Sequence, residues 1–264
     1  MIHSHLMLWN VYPETTDEQH RLQTDGFFAM GAIPEVRGQL LARRLDHTTP
    51  TGQPGRKQAN PYRPRSLDSY EWIRPSFDYF FAIEFDSPSR EAEDRYGPHQ
   101  AHRDFAWRNC RTIWSEYLHQ DFLTETVTVA SSLPERRVLH FDFWRFWPDV
   151  DPAQVERMEA ALLTMPDRVP DLLRIRVGRR DPERTPRDGM QVGVRAEVGL
   201  RGAIPWHFKP AGEQFDGYFQ MEFADLDGFL RYLNGPARIG FAREFVPALW
   251  SEYHTQRFER VPPA

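Results

Sequence analysis

The chain has 264 residues, 40% hydrophobic and 14% aromatic, enough for one large folded domain or two of ordinary size and too apolar for a disordered segment. Its net charge of −5, with arginines scattered along the chain, disfavours a nucleic-acid partner, and a single cysteine, Cys110, excludes an internal disulfide or a Cys-rich zinc site. The opening MIHSHLMLWNVYP lacks a basic start and a long apolar core, and no run reaches the roughly 20 apolar residues of a membrane span, so the expected location is the cytoplasm.

The first run, His5 to Pro13 (HLMLWNVYP), is aromatic and branched and stops at a proline, which reads as a strand. Glu14–Met30 is polar and helix-compatible, and IPEVRGQLLARR at 33–44 reads as a turn and a second strand. Asp46–Ser76 is a long insert rich in Pro, Arg, Gly and Thr, expected as a loop or lid. A third strand follows at 77–85 (FDYFFAIEF). After it come a helical stretch, the segment RYGPHQAHRDF at 95–105, and a second helix carried through Trp-Ser-Glu-Tyr at 114–117. The last strand of this half is expected near Phe122–Val129, and ASSLPERR at 130–137 has linker composition.

The same series then recurs. HFDFWRFWP at 140–148 matches the first strand, with His, Trp and Pro in place at an offset of 135. Asp151-Pro152 suits an N-cap followed by a first-turn proline, and Val155, Met158, Ala161 and Leu162 recur at helical spacing. A second strand lies within VPDLLRIRVGRR at 169–180. A second insert, Asp181–Gln214, has an alternating stretch at Met190–Leu200 that suggests a short hairpin. FDGYFQMEF at 215–223 is the third strand, and RYLNGPARIGF at 231–241 leads again into Trp-Ser-Glu-Tyr, at 250–253. The last strand is expected near Gln256–Val261. Tyr96 and Tyr232, Phe105 and Phe241, and Trp114 and Trp250 each stand 136 residues apart, whereas His99 becomes Gly235 and His102 becomes Arg238.

Each half, 1–127 and 137–260, is therefore β-α-β-β-α-β, an α+β ferredoxin-like unit. One such sheet with helices on one face leaves its other face apolar, and two copies bury those faces against each other. The expected architecture is an intramolecular α+β barrel of the dimeric type, monomeric or open to further self-association.

The residues resemble the Dabb family, the stress-responsive dimeric α/β-barrel proteins. The resemblance rests on the first strands His5-Leu6-Met7-Leu8 and His140-Phe141-Asp142-Phe143 and on third strands ending Glu84-Phe85 and Glu222-Phe223. It rests also on the Tyr-x5-His-x2-Phe segment of Tyr96, His102 and Phe105. The family includes plant stress proteins and a plant polyketide cyclase whose site combines a strand-one His with a Tyr/His pair. His5, Tyr96 and His102 match those positions, and His99 matches a further His three residues earlier.

The resemblance thus implies a cofactor-independent cyclase acting on a polyketide or similar carbonyl-rich small molecule. His102 would be the base, Tyr96 the donor to the enolate oxygen and His5 an orienting donor. Met7 and Trp9 share the strand face of His5, and with His99 and Phe105 they are expected to line an apolar pocket. In the second half His140 and Tyr232 are kept, but Arg238 cannot serve as a base; with Asp142 it would hold an anionic ligand or fill the place with an ion pair. Isolated strand histidines are commonly structural, and the aromatic stripes at 105–114 and 241–250 are most simply core. A cofactor-free or haem-dependent oxygenase on the same barrel, with His207 as a conceivable haem ligand, and a non-enzymatic stress or ligand-binding protein are the alternatives. No Cys, His and acid array has metal-ligand spacing.

Overall fold

A computed structural model describes residues 1–12, 14–45, 57–59, 77–85, 90–110, 113–180, 191–194, 207–208 and 215–263. The first half runs β1 (Ile2–Val11), α1 (Asp17–Ala29), β2 (Val36–Arg44), β3 (Lys57–Ala59), β4 (Tyr79–Phe85), α2 (Arg90–Tyr96), α3 (Gln100–Cys110) and β5 (Trp114–Thr128). The second runs β6 (Val138–Phe146), α4 (Pro152–Leu163), β7 (Leu172–Arg180), β8 (Gln191–Val194), β9 (His207–Phe208), β10 (Gly217–Phe223), α5 (Leu226–Leu233), α6 (Pro236–Leu249) and β11 (Trp250–Val261). Local chemistry sets the helix starts. The Thr16 hydroxyl accepts from the Gln19 amide while the Gln19 side chain accepts from the Thr16 amide, closing a capping box. Asp151 caps α4 ahead of Pro152, as the sequence predicts.

Eight strands form one closed antiparallel barrel. The first half contributes the order β2-β4-β1-β5 and the second β7-β10-β6-β11. Pairing of β5 with β7 and of β11 with β2 closes the ring, so the chain supplies both halves of the barrel itself. The barrel lumen is aromatic: Phe80, Phe141, Phe143, Phe258 and Tyr218 pack with Leu6 and Leu8, and the rings of Phe80 and Phe141 lie 4.1 Å apart. The opposite sheet faces carry separate layers beneath the helices, one around Trp9, Phe27, Phe81 and Phe105 and one around Trp144, Met158, Phe241 and Trp250.

Two polar devices join the halves. Arg176 reaches Glu84 of the other half at 2.5 Å, and Glu222 beside it pairs with Arg174 at 2.5 Å and with Arg137. Burial alone would raise the Glu222 carboxyl, but Arg176, Arg174 and Arg137 outweigh it and hold it below the usual carboxylate range. The second device is reciprocal. Gln120 accepts from the Phe215 amide at 3.1 Å and donates to its carbonyl at 2.6 Å. Gln256 accepts from the Phe77 amide at 3.0 Å and donates to the Phe77 carbonyl. Each half thus pins the residue at which the other half's insert rejoins the sheet.

The structure corrects one expectation. Trp-Ser-Glu-Tyr does not continue a helix: both copies open the long strands β5 and β11. In the second half Pro247 sits in the last turn of α6, removing an amide donor and crowding the preceding turn, and Trp250 already has extended backbone. The indole of Trp250 stacks on Trp144 at 4.9 Å, and that of Trp114 donates to Gln23 at 2.6 Å, so packing beneath the helices fixes both strand starts. In the second insert β8 pairs with β9, Gln191 opposite Phe208, and with β5, while residues 195–200 of the expected hairpin lie outside the described residues. The expected lid function of both inserts otherwise lies outside the described residues.

Candidate functional site

Strand β1 alternates as read from the sequence. Leu6 and Leu8 enter the lumen, while Met7 and Trp9 pack in the layer beneath the helices. His5, 6% exposed, lies on the helix side, its ring 5.8 Å from Phe81, 6.5 Å from Phe85 and 6.0 Å from Tyr96. Directly opposite His5 in register is Asp121 of β5. Its Oδ1 lies 2.9 Å from His5 Nδ1 and 3.3 Å from His3 Nε2. A carboxylate oxygen accepts, so the hydrogen of this contact lies on His5 Nδ1.

Tyr96 ends α2 and is 1% exposed. Its hydroxyl donates to Met30 Sδ at 3.4 Å, a weak acceptor. The turn through Gly97-Pro98 folds the ring back against α3, where His102 lies 4.4 Å away. His102 Nδ1 donates to the Gly97 carbonyl at 2.8 Å, which fixes the hydrogen on Nδ1 in this ring also. His5, Tyr96 and His102 therefore form a row from the buried sheet to a half-buried helix face.

The other first-half candidates have packing roles. His99 caps α3: its Nδ1 accepts from the Ala101 amide at 3.2 Å and its carbonyl accepts the amide of Arg103. Trp9 stacks on Tyr79 and donates to Gln23, and Phe105 packs with Phe27, Phe81 and Trp114. Asp121 is the contact of His5 that the sequence reading misses. The signal was its place 136 residues before Arg257, just ahead of the strand start read at Phe122.

In the second half His140 lies in the equivalent layer, 6.0 Å from Tyr232 and 5.3 Å from Phe229. Its cross-strand neighbour is Arg257 where His5 has Asp121, and the acid has moved to Asp142, the position of Met7. Burial, helped by Arg257 and Arg238, pushes the His140 imidazole well below its usual range. Burial raises the Asp142 carboxyl to about 7 against the pull of Thr255, Arg238 and Arg257, and raises the Tyr232 hydroxyl. The His140 ring lies 3.8 Å from Asp142, and among the described residues no ion pair joins Asp142 to Arg238 or Arg257.

Three solved structures share this fold over nearly the whole of both chains. Two are each named "putative monooxygenase". The one from Fusobacterium nucleatum has a TM-score of 0.56 and 11% identity, with 100% of this chain and 93% of that one covered. The one from Lactobacillus acidophilus has 0.51 and 14%, with 100% and 94% covered. An anthrone oxidase-like protein gives 0.55 and 12%, with 98% and 91% covered. No family profile matches the chain, and no curated protein matches it. Among the described residues no three His, Cys, Asp or Glu side chains converge to hold a metal, and the side chain of His207 lies outside them.

Proposed function

We propose that the first half catalyses cofactor-independent oxygenation of an enolisable aromatic ketone. The observation that carries this reading is the His5–Asp121 pair beside Tyr96 in an aromatic layer. Asp121 favours the imidazolium that forms when His5 Nε2 takes a proton, as a carboxylate does for a catalytic histidine generally. That backing makes His5 the base, ahead of His102. Tyr96 exchanges its weak thioether contact for the developing enolate oxygen. His102, fixed by the Gly97 carbonyl, braces the Tyr96 ring.

The chemistry balances without a further reductant. A methylene group next to the ketone-bearing ring loses a proton to His5, and the carbanion adds dioxygen to give a peroxide. Proton return to the outer oxygen and loss of the second C–H break the O–O bond. The methylene and dioxygen thus become a ketone carbonyl and water, with carbon oxidised by four electrons and dioxygen reduced by four. The names of the three similar structures support this reading over cyclisation, although both reactions begin with the same proton abstraction.

The test is oxygen uptake with 1,8-dihydroxy-9-anthrone, corrected for its spontaneous oxidation. The wild-type protein should accelerate uptake, and His5→Ala and Asp121→Asn should lower kcat by about 10²–10⁴ while the fold persists. A Soret band in the purified protein would move the reading to haem chemistry. Turnover of a poly-β-ketone probe without oxygen consumption would move it to cyclisation.

A further inference from the structure

The second half holds a guanidinium that, among the described residues, has no counter-ion in hydrogen-bonding reach. Arg257 is 6% exposed, and its Nε and Nη1 are buried without a hydrogen-bond partner there. It stands over the Phe229 ring at 5.1 Å, opposite His140 in register. Arginine does not shed its proton to escape burial, so its unfilled donors need an acceptor. Asp142 is not within 4.0 Å of it, as shown above. Arg238, exposed on α6, adds a second positive charge that acts on the same group of side chains.

From this arrangement we infer that the layer beneath α5 and α6 is a binding site for an aromatic carboxylate, separate from the first-half site. The planar guanidinium fork of Arg257 matches a carboxylate, and Arg238 supplies the second charge at the solvent side. Phe229 and Tyr232, buried with ring centroids 6.4 Å apart, form the aromatic wall beside it. The two halves then differ in kind. Asp121 in the first half receives the hydrogen of a histidine, and Arg257 at the matching place of the second half receives an anion. The inference does not depend on catalysis in the first half.

The probe is benzoate, titrated calorimetrically at pH 8 into the wild-type protein, with acetate as the non-aromatic control. Benzoate should bind at one site per chain and more tightly than acetate. Arg257→Gln should weaken it by about tenfold or more, the loss of one charge-assisted contact. Asp142→Asn, which removes a neighbouring carboxylate, should tighten it severalfold, so the idea stays testable if Arg257→Gln fails to fold. His5→Ala should leave benzoate affinity unchanged, which separates this site from the oxygenase reading. Benzoate affinity unchanged in Arg257→Gln, weakened in Asp142→Asn or lost in His5→Ala would overturn the inference, as would binding of acetate as tight as benzoate.

Discussion

Asp142→Asn tests the electrostatics of the second half through stability alone. The carboxyl is raised from 3.8 to about 7, chiefly by burial, with its side chain only 15% exposed. A raised acid binds more protons folded than unfolded, so the fold loses stability as pH climbs from about 4 to about 7. The cost is complete above that window and corresponds to on the order of 4 kcal/mol. Asparagine stays neutral throughout. The variant should gain on the wild type as pH rises and be more stable by about 2–4 kcal/mol at pH 8. His140, Arg238, Arg257, Tyr232 and Tyr253 face the same carboxyl and share its field. Urea unfolding of both proteins at intervals from pH 4 to pH 9 gives the difference directly, with distant groups cancelling. A difference that stays flat from pH 4 to pH 8, or a variant less stable at pH 8 than at pH 5 relative to wild type, would refute the argument.

Other outcomes follow from contacts already described. Gln120→Leu leaves the buried amide and carbonyl of Phe215 unpaired, and Gln256→Leu does the same to Phe77. Each should cost about 2–4 kcal/mol in urea unfolding and raise hydrogen exchange at the residue it frees; losses under about 0.5 kcal/mol would show that the clamps are incidental. Arg176→Met strips Glu84 and Glu222 of a shared cation and should destabilise by about 3 kcal/mol, measured the same way. His102→Ala should lower oxygen uptake less than His5→Ala does, because Asp121 backs His5; the reverse order in initial rates would make His102 the base. Because both apolar sheet faces are buried within one chain, sedimentation should give the mass of a single chain, and an obligate dimer would contradict it.

What the sequence carried was periodic and local. Strand-one runs ending at Pro13 and Pro148 and the Asp151 cap depend on neighbours within a turn or a strand, and the 136-residue repeat of Tyr96 at Tyr232 doubles the unit; together they were sufficient for the barrel. The gathering of His5, Tyr96 and His102 was also readable, through a turn whose Gly97-Pro98 composition allowed it. The partner of His5 was not. Asp121 lies 116 residues away, and a cross-strand contact leaves no local pattern. The error at Trp114–Tyr117 has the same origin. Aromatic and polar residues there suit a helix by spacing alone, and pairing with β1 and the Trp114 contact with Gln23, both distant in sequence, decide for the strand. Arg257 was likewise hidden, since an arginine in an alternating strand reads as solvated until its burial against Phe229 is known.

The two halves suggest how one scaffold acquires two chemistries. Each half has a strand-one histidine, His5 or His140, beside a tyrosine, and the aromatic layer around it is maintained. Among the differences is the residue across the strand. Asp121 pairs with the His5 ring, whereas burial, helped by Arg257 and Arg238, disfavours the charged form of His140. A histidine so disfavoured as a cation cannot lead base catalysis near neutral pH, however similar its surroundings. On the two proposals made above, the cross-strand exchange of sign between Asp121 and Arg257, with Arg238 in place of His102, would separate a proton-abstracting site from an anion-holding one. Because the neighbours lie on β5 and β11, which also close the barrel, the exchange leaves the lumen packing untouched: Arg257 and Asp121 face the helices while Phe122 and Phe258 face the centre. Selection could thus alter the chemistry of one half without disturbing the aromatic core on which both depend.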